Sequence, residues 1–197
     1  MIFRNDRSSL WSFRFWRLVL IGVALALVAR LFVIGVYSVS GDSMAPTLTT
    51  SQRVVVWKWT KFTGIKHGDV VVFDGSDAFV AGSPSRSFGD ILSELFGVKK
   101  LDSNLFVKRV IGLGGDNVRC CDVDGYITIN GARLSESYLA SGQFPSNIEF
   151  DVVVPEGRMF VLGDNRNVSQ DSRSLLGRPG GGMIDLDKIV GRVAFID

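Results

Sequence analysis

The sequence predicts a mostly β domain, an antiparallel β-sandwich or barrel-like fold, preceded by one N-terminal transmembrane helix. After residue 38, short runs rich in β-branched and aromatic residues are typical of strands, at 53–57, 69–73, 106–111, 126–129 and 159–162. Glycine, asparagine and proline turn signals separate these runs. The 197 residues, 46% of them hydrophobic, suffice for one domain with its own core and one additional segment.

The transmembrane helix is predicted at residues 18–37, which read LVLIGVALALVARLFVIGVY. As a helix, this stretch is about as long as the ~30 Å hydrocarbon core of a bilayer is thick. Four arginines and one aspartate precede it: Arg4, Arg7, Arg14, Arg17 and Asp6. By the positive-inside rule, residues 1–17 are then cytoplasmic, and residues 38–197 form the β domain on the other side of the membrane.

A cleavable signal peptide is the alternative interpretation of this segment, because Ser38, Val39 and Ser40 form a small-x-small pattern. The apolar stretch exceeds the ~7–15 residues of a signal-peptide core, and cleavage after Ser40 would separate the anchor from the domain. An uncleaved anchor therefore fits the sequence better.

Two subregions interrupt the simple strand pattern. Residues 75–104 begin with a Gly/Ser/Pro-rich stretch and then place apolar residues at helical spacing between 88 and 96, which predicts an inserted loop with one short amphipathic helix. Asp-Gly at 124–125 and Asn-Gly at 130–131 bracket a short strand, which predicts a small β-hairpin subregion at 116–150.

Composition argues against several classes of function. The formal net charge is +2 and no run of Lys or Arg occurs, so we expect no nucleic-acid binding. One histidine, His67, and two adjacent cysteines, Cys120 and Cys121, lack the spacing of metal ligands, so we expect neither a metal nor a cofactor. The two cysteines are also too close for an unstrained bridge, and their redox state stays open.

Two residues are candidates for a reactive centre. Ser43 lies between Gly41 and Pro46 in a segment that should turn sharply and hold an exposed backbone N–H beside the hydroxyl. Lys108 shares a strand face with Phe106 and Val110, and burial of that face would lower the lysine pKa into the range of a general base. The alternative for Lys108 is an exposed position on an edge strand, and most Gly/Ser/Pro segments such as the one around Ser43 are simply turns.

Two further features could take part in the chemistry. The loop 163–173, rich in Asp, Arg and Ser, predicts either a solvated turn or a set of Asp–Arg pairs that fix a catalytic strand, with Ser169 orienting an amine. His67 could serve as the base of a Ser-His-Asp triad. Its place in a polar turn, and the lack of a Gly-x-Ser-x-Gly elbow, favour a surface role instead.

Taken in order, the segments 41–48, 68–73, 107–116, 163–173 and 189–192 resemble the sequence boxes of the bacterial type I signal peptidase family. The resemblance implies that Ser43 is the nucleophile, Lys108 the general base and Ser169 the hydroxyl that positions the lysine amine. It also implies a supporting set that braces the site or lies at the oxyanion hole: Gly41, Asp42, Arg109, Asp164, Asp171 and Arg173. The resemblance implies that the backbone N–H of Ser43 is one oxyanion donor. Some members carry a serine where Gly41 stands, so the second oxyanion donor is left open.

The resemblance also implies what the enzyme does and where. We expect a membrane-bound serine endopeptidase of the bacterial inner (plasma) membrane, single-pass, with a cytoplasmic N-terminus and a catalytic domain on the outer (periplasmic) side. It would bind preprotein signal peptides as an added strand, cleave after small residues, contact the lipid surface and act as a monomer. Two alternatives remain: an enzyme dedicated to one substrate such as a pilin, and an inactive module that binds extended peptides.

Overall fold

The computed structural model describes residues 7–76, 78–79, 99–100 and 104–196. Helix α1 spans Arg7–Phe32, and strand β1 follows at Ile34–Ser38. The end of the anchor, expected at Tyr37, therefore falls within a strand that pairs with the body of the domain. Among the residues that the structure describes, no helix is both long enough and apolar enough to cross a membrane.

Eight strands form the larger sheet. After β1, they are β2 (Arg53–Trp57), β3 (Val70–Asp74), β4 (Lys99–Lys100) and β5 (Leu105–Leu113), and later in the chain β10 (Arg158–Leu162), β11 (Ile184–Asp185) and β12 (Ile189–Ile196). Their order is β11-β10-β5-β3-β12-β2-β1-β4. Every neighbouring pair is antiparallel except β1 and β4. The predicted mostly β, antiparallel fold is confirmed.

Four short strands form the smaller sheet: β6 (Asn117–Cys120), β7 (Thr128–Ile129), β8 (Ala132–Arg133) and β9 (Phe150–Val153), in the order β8-β7-β6-β9. Asn130 and Gly131 join β7 to β8 with φ of 52° and 82°, the positive values that a tight hairpin turn requires. Cys120 and Cys121, whose redox state the sequence left open, form a disulfide.

Helical structure within the domain is limited to α2 (Thr60–Thr63) and two short 3-10 helices, Ser172–Leu175 and Leu186–Lys188, in the part of the chain that the structure describes. The short helix expected within 75–104 falls on residues outside the described ones.

The hydrophobic core joins the two sheets and holds β5 in the interior. Ile111 on β5 and Phe160 on β10 pack with Val118 and Phe150 of the smaller sheet in one buried cluster. At Gly112 the approach is so close that an added Cβ would overlap the side chain of Val118. The central strand β5 is therefore covered by apolar side chains, and a polar residue on it is removed from water.

Candidate active site

The hydroxyl of Ser43 and the amine of Lys108 meet at the centre of the candidate site. Ser43 lies in the turn that follows β1, and Lys108 lies on β5 between β10 and β3. The Lys108 Nζ donates a hydrogen bond of 2.6 Å to the Ser43 Oγ. The alternative of an exposed Lys108 is wrong, because only 3% of this residue is accessible to solvent.

Burial controls the electrostatics of the amine. Lys108 is only 3% exposed, and the loss of hydration lowers its pKa from 10.5 to about 8. The carboxylates of Asp171 and Asp164 oppose this shift, and the guanidinium of Arg173 adds to it. About a tenth of the amine is therefore neutral at pH 7, and the neutral form is the one that can accept a proton.

Arg109 links the lysine strand to the loop after β10. Its Nε and Nη2 donate to the two carboxylate oxygens of Asp164 at 2.8 and 2.5 Å, and its Nη1 donates to the Gly68 carbonyl at 2.8 Å. The hydroxyl of Thr47, four residues after Ser43, donates to the same carboxylate at 2.5 Å. Because Asp164 is fully buried and accepts from both Thr47 and Arg109, this bidentate ion pair fixes the nucleophile segment relative to β5.

Asp171 and Arg173 form a second buried pair beside it. The Arg173 Nε and Nη2 donate to Asp171 at 2.9 and 2.8 Å, and the backbone N–H of Gly163 donates to the same carboxylate at 3.1 Å. Asp171 also caps the 3-10 helix that begins at Ser172. This pair holds the loop 163–173 closed on itself.

Asn165 holds the nucleophile segment by its backbone. The Asn165 backbone N–H donates to the Ser43 carbonyl at 3.0 Å, and the Asn165 Nδ2 donates to the Asp42 carbonyl at 3.1 Å. The side chain of Asp42 itself points to Thr50, whose hydroxyl donates to it at 2.6 Å. The sequence did not single out Asn165 as a site residue, although it lies inside the recognised loop.

Ser169 does not lie as the resemblance implies. The Ser169 Oγ is buried and has no hydrogen-bond partner among the described residues, so it forms no hydrogen bond with the Lys108 amine in this structure. It lies against Gly163, where an added Cβ would overlap both Ser169 and the Ser43 carbonyl. Gly41 is exposed beside the nucleophile and has no side chain to donate.

A further buried pair was not predicted. The Arg166 Nη2 donates to the Glu136 Oε1 at 2.5 Å, and its Nε and Nη1 donate to the carbonyls of Gly163 and Pro145. The ring of Tyr138 lies 3.9 Å from the Arg109 guanidinium carbon. Arg166 lies in the recognised loop, but nothing in the sequence around Glu136 and Tyr138 points to the site.

A groove with a volume of about 650 Å³ opens at Ser43. Its walls come from the segment after β1, from the first half of β5 and from the loop after β10: Val39, Ser40, Gly41, Asp42, Met44, Leu105, Phe106, Val107, Asn165, Val168 and Gln170. Strand β10 pairs with β5 only from Arg109 onward, so the first half of β5 has its β10-facing edge open. The groove can therefore accept an extended chain.

His67 does not take part in this arrangement. Its Nε2 is paired with Asp116 at 2.6 Å, at the turn between β5 and β6, and the amine of Lys108, not the His67 ring, donates to the Ser43 hydroxyl. Among the described residues, no group of three or more His, Cys, Asp or Glu side chains is arranged to hold a metal ion.

The chain is similar to known proteins over nearly its whole length. The family model for "Signal peptidase, peptidase S26" matches residues 12–196. A signal peptidase I from Bacillus licheniformis is 35% identical, over 98% of this chain and 90% of the relative. A probable signal peptidase I from Mycobacterium leprae (strain TN) is 32% identical, over 98% of this chain and 77% of the relative.

Two more relatives are similar over shorter parts. Signal peptidase I S from Bacillus subtilis (strain 168) is 36% identical over 81% of this chain and 77% of the relative. A crystal structure of a signal peptidase I from Enterococcus faecalis V583 is 24% identical, with a TM-score of 0.43, and covers 66% of this chain and 97% of its own. The range matched by the family includes Ser43, Lys108 and the loop 163–173.

Proposed function

The chain belongs to the signal peptidase family, peptidase S26, and from this membership we propose that it is a serine endopeptidase that removes N-terminal signal peptides from exported preproteins. Ser43 is the proposed nucleophile and Lys108 the proposed general base. The single observation that most supports this pairing is the 2.6 Å contact between the Ser43 hydroxyl and an amine whose pKa burial lowers to about 8.

The proposed acylation step transfers one proton twice. Neutral Lys108 takes the proton of the Ser43 hydroxyl as the oxygen forms a bond to the carbonyl carbon of the scissile peptide. The backbone N–H of Ser43 donates to the resulting oxyanion. The Lys108 ammonium then gives its proton to the leaving amine, the C–N bond breaks, and the mature protein leaves while the signal peptide remains as an ester on Ser43.

Deacylation repeats the chemistry with water. Lys108, neutral again, takes a proton from a water molecule that attacks the ester carbon, and then returns it to the Ser43 oxygen as the C–O bond breaks. The base must lose its proton in each half of the cycle, so desolvation of the amine serves both steps. Asp164 and Asp171, which favour the ammonium, would stabilise the charge that forms in each transition state.

We propose that the substrate enters as an added strand in the groove beside Ser43. The open edge of β5 at 105–108 offers backbone groups to an extended peptide, and the walls there are largely apolar. Small residues before the cut would fit the limited space next to Met44 and Val107, which are both buried.

The membrane part of the proposal rests on the apolar part of α1, residues 18–32, which ends before β1, and on the arginines before it. We propose a single-pass protein of the bacterial plasma membrane, with residues 1–17 in the cytoplasm and the catalytic domain on the outer side, acting as a monomer at the lipid surface. Large apolar side chains along α1, among them Phe13, Leu20 and Leu25, are exposed and so have little contact with the β domain. Retention of the full chain in the membrane fraction after alkaline carbonate washing would support this part, and its release would contradict it.

The proposed reaction is tested by processing of preproteins in detergent. We expect the wild type and Ser135→Ala, a change at an exposed serine, to cleave, and Ser43→Ala and Lys108→Ala to be inactive. Lys108→Arg should also be inactive, because a guanidinium does not give up its proton in this pH range. Activity in Ser43→Ala would contradict the nucleophile assignment. Cleavage of one preprotein out of several unrelated ones would favour the dedicated enzyme.

A further inference from the structure

The nucleophile segment is held through an ordered pair of side-chain amides. The Gln143 Nε2 donates to the Asn165 Oδ1 at 3.0 Å, and the Gln143 Oε1 accepts from the backbone N–H of Arg166 at 3.3 Å. The Asn165 Nδ2 in turn donates to the Asp42 carbonyl, and the Asn165 backbone N–H donates to the Ser43 carbonyl. One side chain from the smaller sheet's loop is thus connected to the residue before the nucleophile.

This chain of bonds has only one consistent direction. A backbone N–H can only donate, so the Arg166 N–H requires oxygen on its side of the Gln143 amide and leaves nitrogen facing Asn165. That nitrogen requires the Asn165 oxygen, which leaves the Asn165 nitrogen facing the Asp42 carbonyl, an acceptor. If the Asn165 amide turned over, two donors would face each other at Gln143 and two acceptors at Asp42.

We propose that Gln143 is a positioning residue for the nucleophile: through Asn165 it fixes the Asp42 carbonyl, and with it the backbone that carries the Ser43 hydroxyl. Gln143 is half-buried and lies outside the lining of the groove, so it acts through Asn165 and not on the substrate. The loop that carries Gln143 is itself held in place two residues further on, because the Arg166 Nη1 donates to the Pro145 carbonyl at 2.5 Å.

The consequence concerns turnover more than binding. Two consecutive carbonyls, of Asp42 and Ser43, are held from one residue, which restricts the backbone of the nucleophile. A hydroxyl displaced by about 1 Å from its reactive position can cost on the order of 100-fold in rate. The Lys108 amine is held by a different strand, so loss of Gln143 should leave its titration unchanged.

The inference rests on the proposed peptidase function, and its test uses the full chain in detergent. Gln143→Glu keeps the shape but cannot donate, so the Asn165 amide should turn over and release the Asp42 carbonyl. Gln143→Ala removes both bonds, and Ser141→Ala, at an exposed position in the same loop, is the matched control. Both Gln143 variants should lose about 10- to 100-fold in kcat, with KM changed less than about twofold and the pH midpoint of activity unmoved.

A second measurement does not depend on activity. The side-chain amide NMR signals of Asn165 should shift in Gln143→Glu and keep their positions in Ser141→Ala. Rates are divided by the folded fraction from circular dichroism, so that a loss of folded protein does not count as a loss of kcat. An inactive wild type would refute the proposed function, and the NMR comparison would still decide the positioning role.

Three results would overturn the positioning role itself. One, provided that the wild type cleaves, is a kcat of Gln143→Glu equal to that of Ser141→Ala. Another is a change confined to KM, which would place Gln143 in substrate binding. The third is a set of Asn165 amide signals that do not respond to Gln143→Glu.

Discussion

Replacing Lys108 by methionine should make the protein more stable at pH 7 although it removes the proposed base. Burial lowers the Lys108 pKa from 10.5 to about 8, so below pH 8 the folded chain holds this proton less tightly than the unfolded chain. Below pH 8 this difference in pKa lowers the stability of the wild type by about 3 kcal/mol. Methionine has a similar volume and no charge, and the lost hydrogen bond to Ser43 subtracts about 1 kcal/mol, which leaves a net gain of about 2 kcal/mol.

The pH dependence of this stabilisation distinguishes the removal of a buried charge from an improvement in the packing of residue 108. The cost of the depressed lysine pKa is complete below pH 8, decreases as the pH rises from 8 to 10.5, and is absent above 10.5. The advantage of Lys108→Met should therefore disappear between pH 8 and 10.5, whereas a packing effect would persist.

Urea unfolding of the full chain in mild detergent, followed by circular dichroism at pH 7, 8.5 and 10, measures this advantage against the wild type. Lys66→Met, at an exposed lysine, is the control and should follow the wild type at each pH. The reasoning is refuted if Lys108→Met is no more stable than the wild type at pH 7, or if its advantage is the same at pH 7 and pH 10.

Three other predictions concern activity and the buried pairs. The kcat/KM for preprotein cleavage should rise about tenfold per pH unit below pH 8 and level off above it, because the neutral form of Lys108 is the base; a flat profile from pH 6 to 9 would contradict this. Asp164→Asn should destabilise the chain by about 3–5 kcal/mol in urea unfolding, since it leaves the Arg109 guanidinium without its buried counter-charge; a loss below 1 kcal/mol would show that the pair is not what holds these segments. Gly163→Ala should abolish cleavage because its Cβ would displace the nucleophile's carbonyl, whereas Gly177→Ala, with open space around it, should cleave normally; equal activity of the two would contradict the close approach.

Much of the sheet could be predicted from the sequence, and β1 could not. The predicted strand at 53–57 coincides with β2 (Arg53–Trp57), and the one at 106–111 lies within β5 (Leu105–Leu113). Residues 34–37 continue the apolar run of the preceding helix, and an uninterrupted apolar run does not distinguish a helix from a buried strand. The pairing of β1 with β2 makes residues 34–37 a strand, and such pairing depends on residues distant in the sequence.

The site, too, could be predicted only in part from the sequence. Ser43 and Lys108 are 65 positions apart, and spacing alone gave no reason to join them; the ordered family boxes did. Glu136 and Gln143 belong to no box, and they reach the site because the smaller sheet packs on β5 and β10 through a shared apolar cluster. Contacts that arise from the docking of two sheets leave no periodic signal in the sequence.

The buried charges around the amine are arranged as closed pairs, and this arrangement explains why burial can dominate the lysine pKa. Each pair combines one positive and one negative group within hydrogen-bonding distance: Arg109 with Asp164, Arg173 with Asp171, and Arg166 with Glu136. A closed pair acts on a neighbouring charge mainly as a dipole, so its effect falls off faster with distance than that of a single ion.

Such pairs contribute little net stability, since their desolvation offsets much of their attraction, but each fixes one segment of backbone in place. Two of the acids favour the protonated amine and one arginine opposes it, and these partly cancelling effects leave desolvation as the largest influence on Lys108. A site built from unpaired acids would hold the lysine charged and take away its ability to act as a base. The ion pairs therefore supply rigid geometry around Ser43 without supplying the net negative charge that would prevent the chemistry.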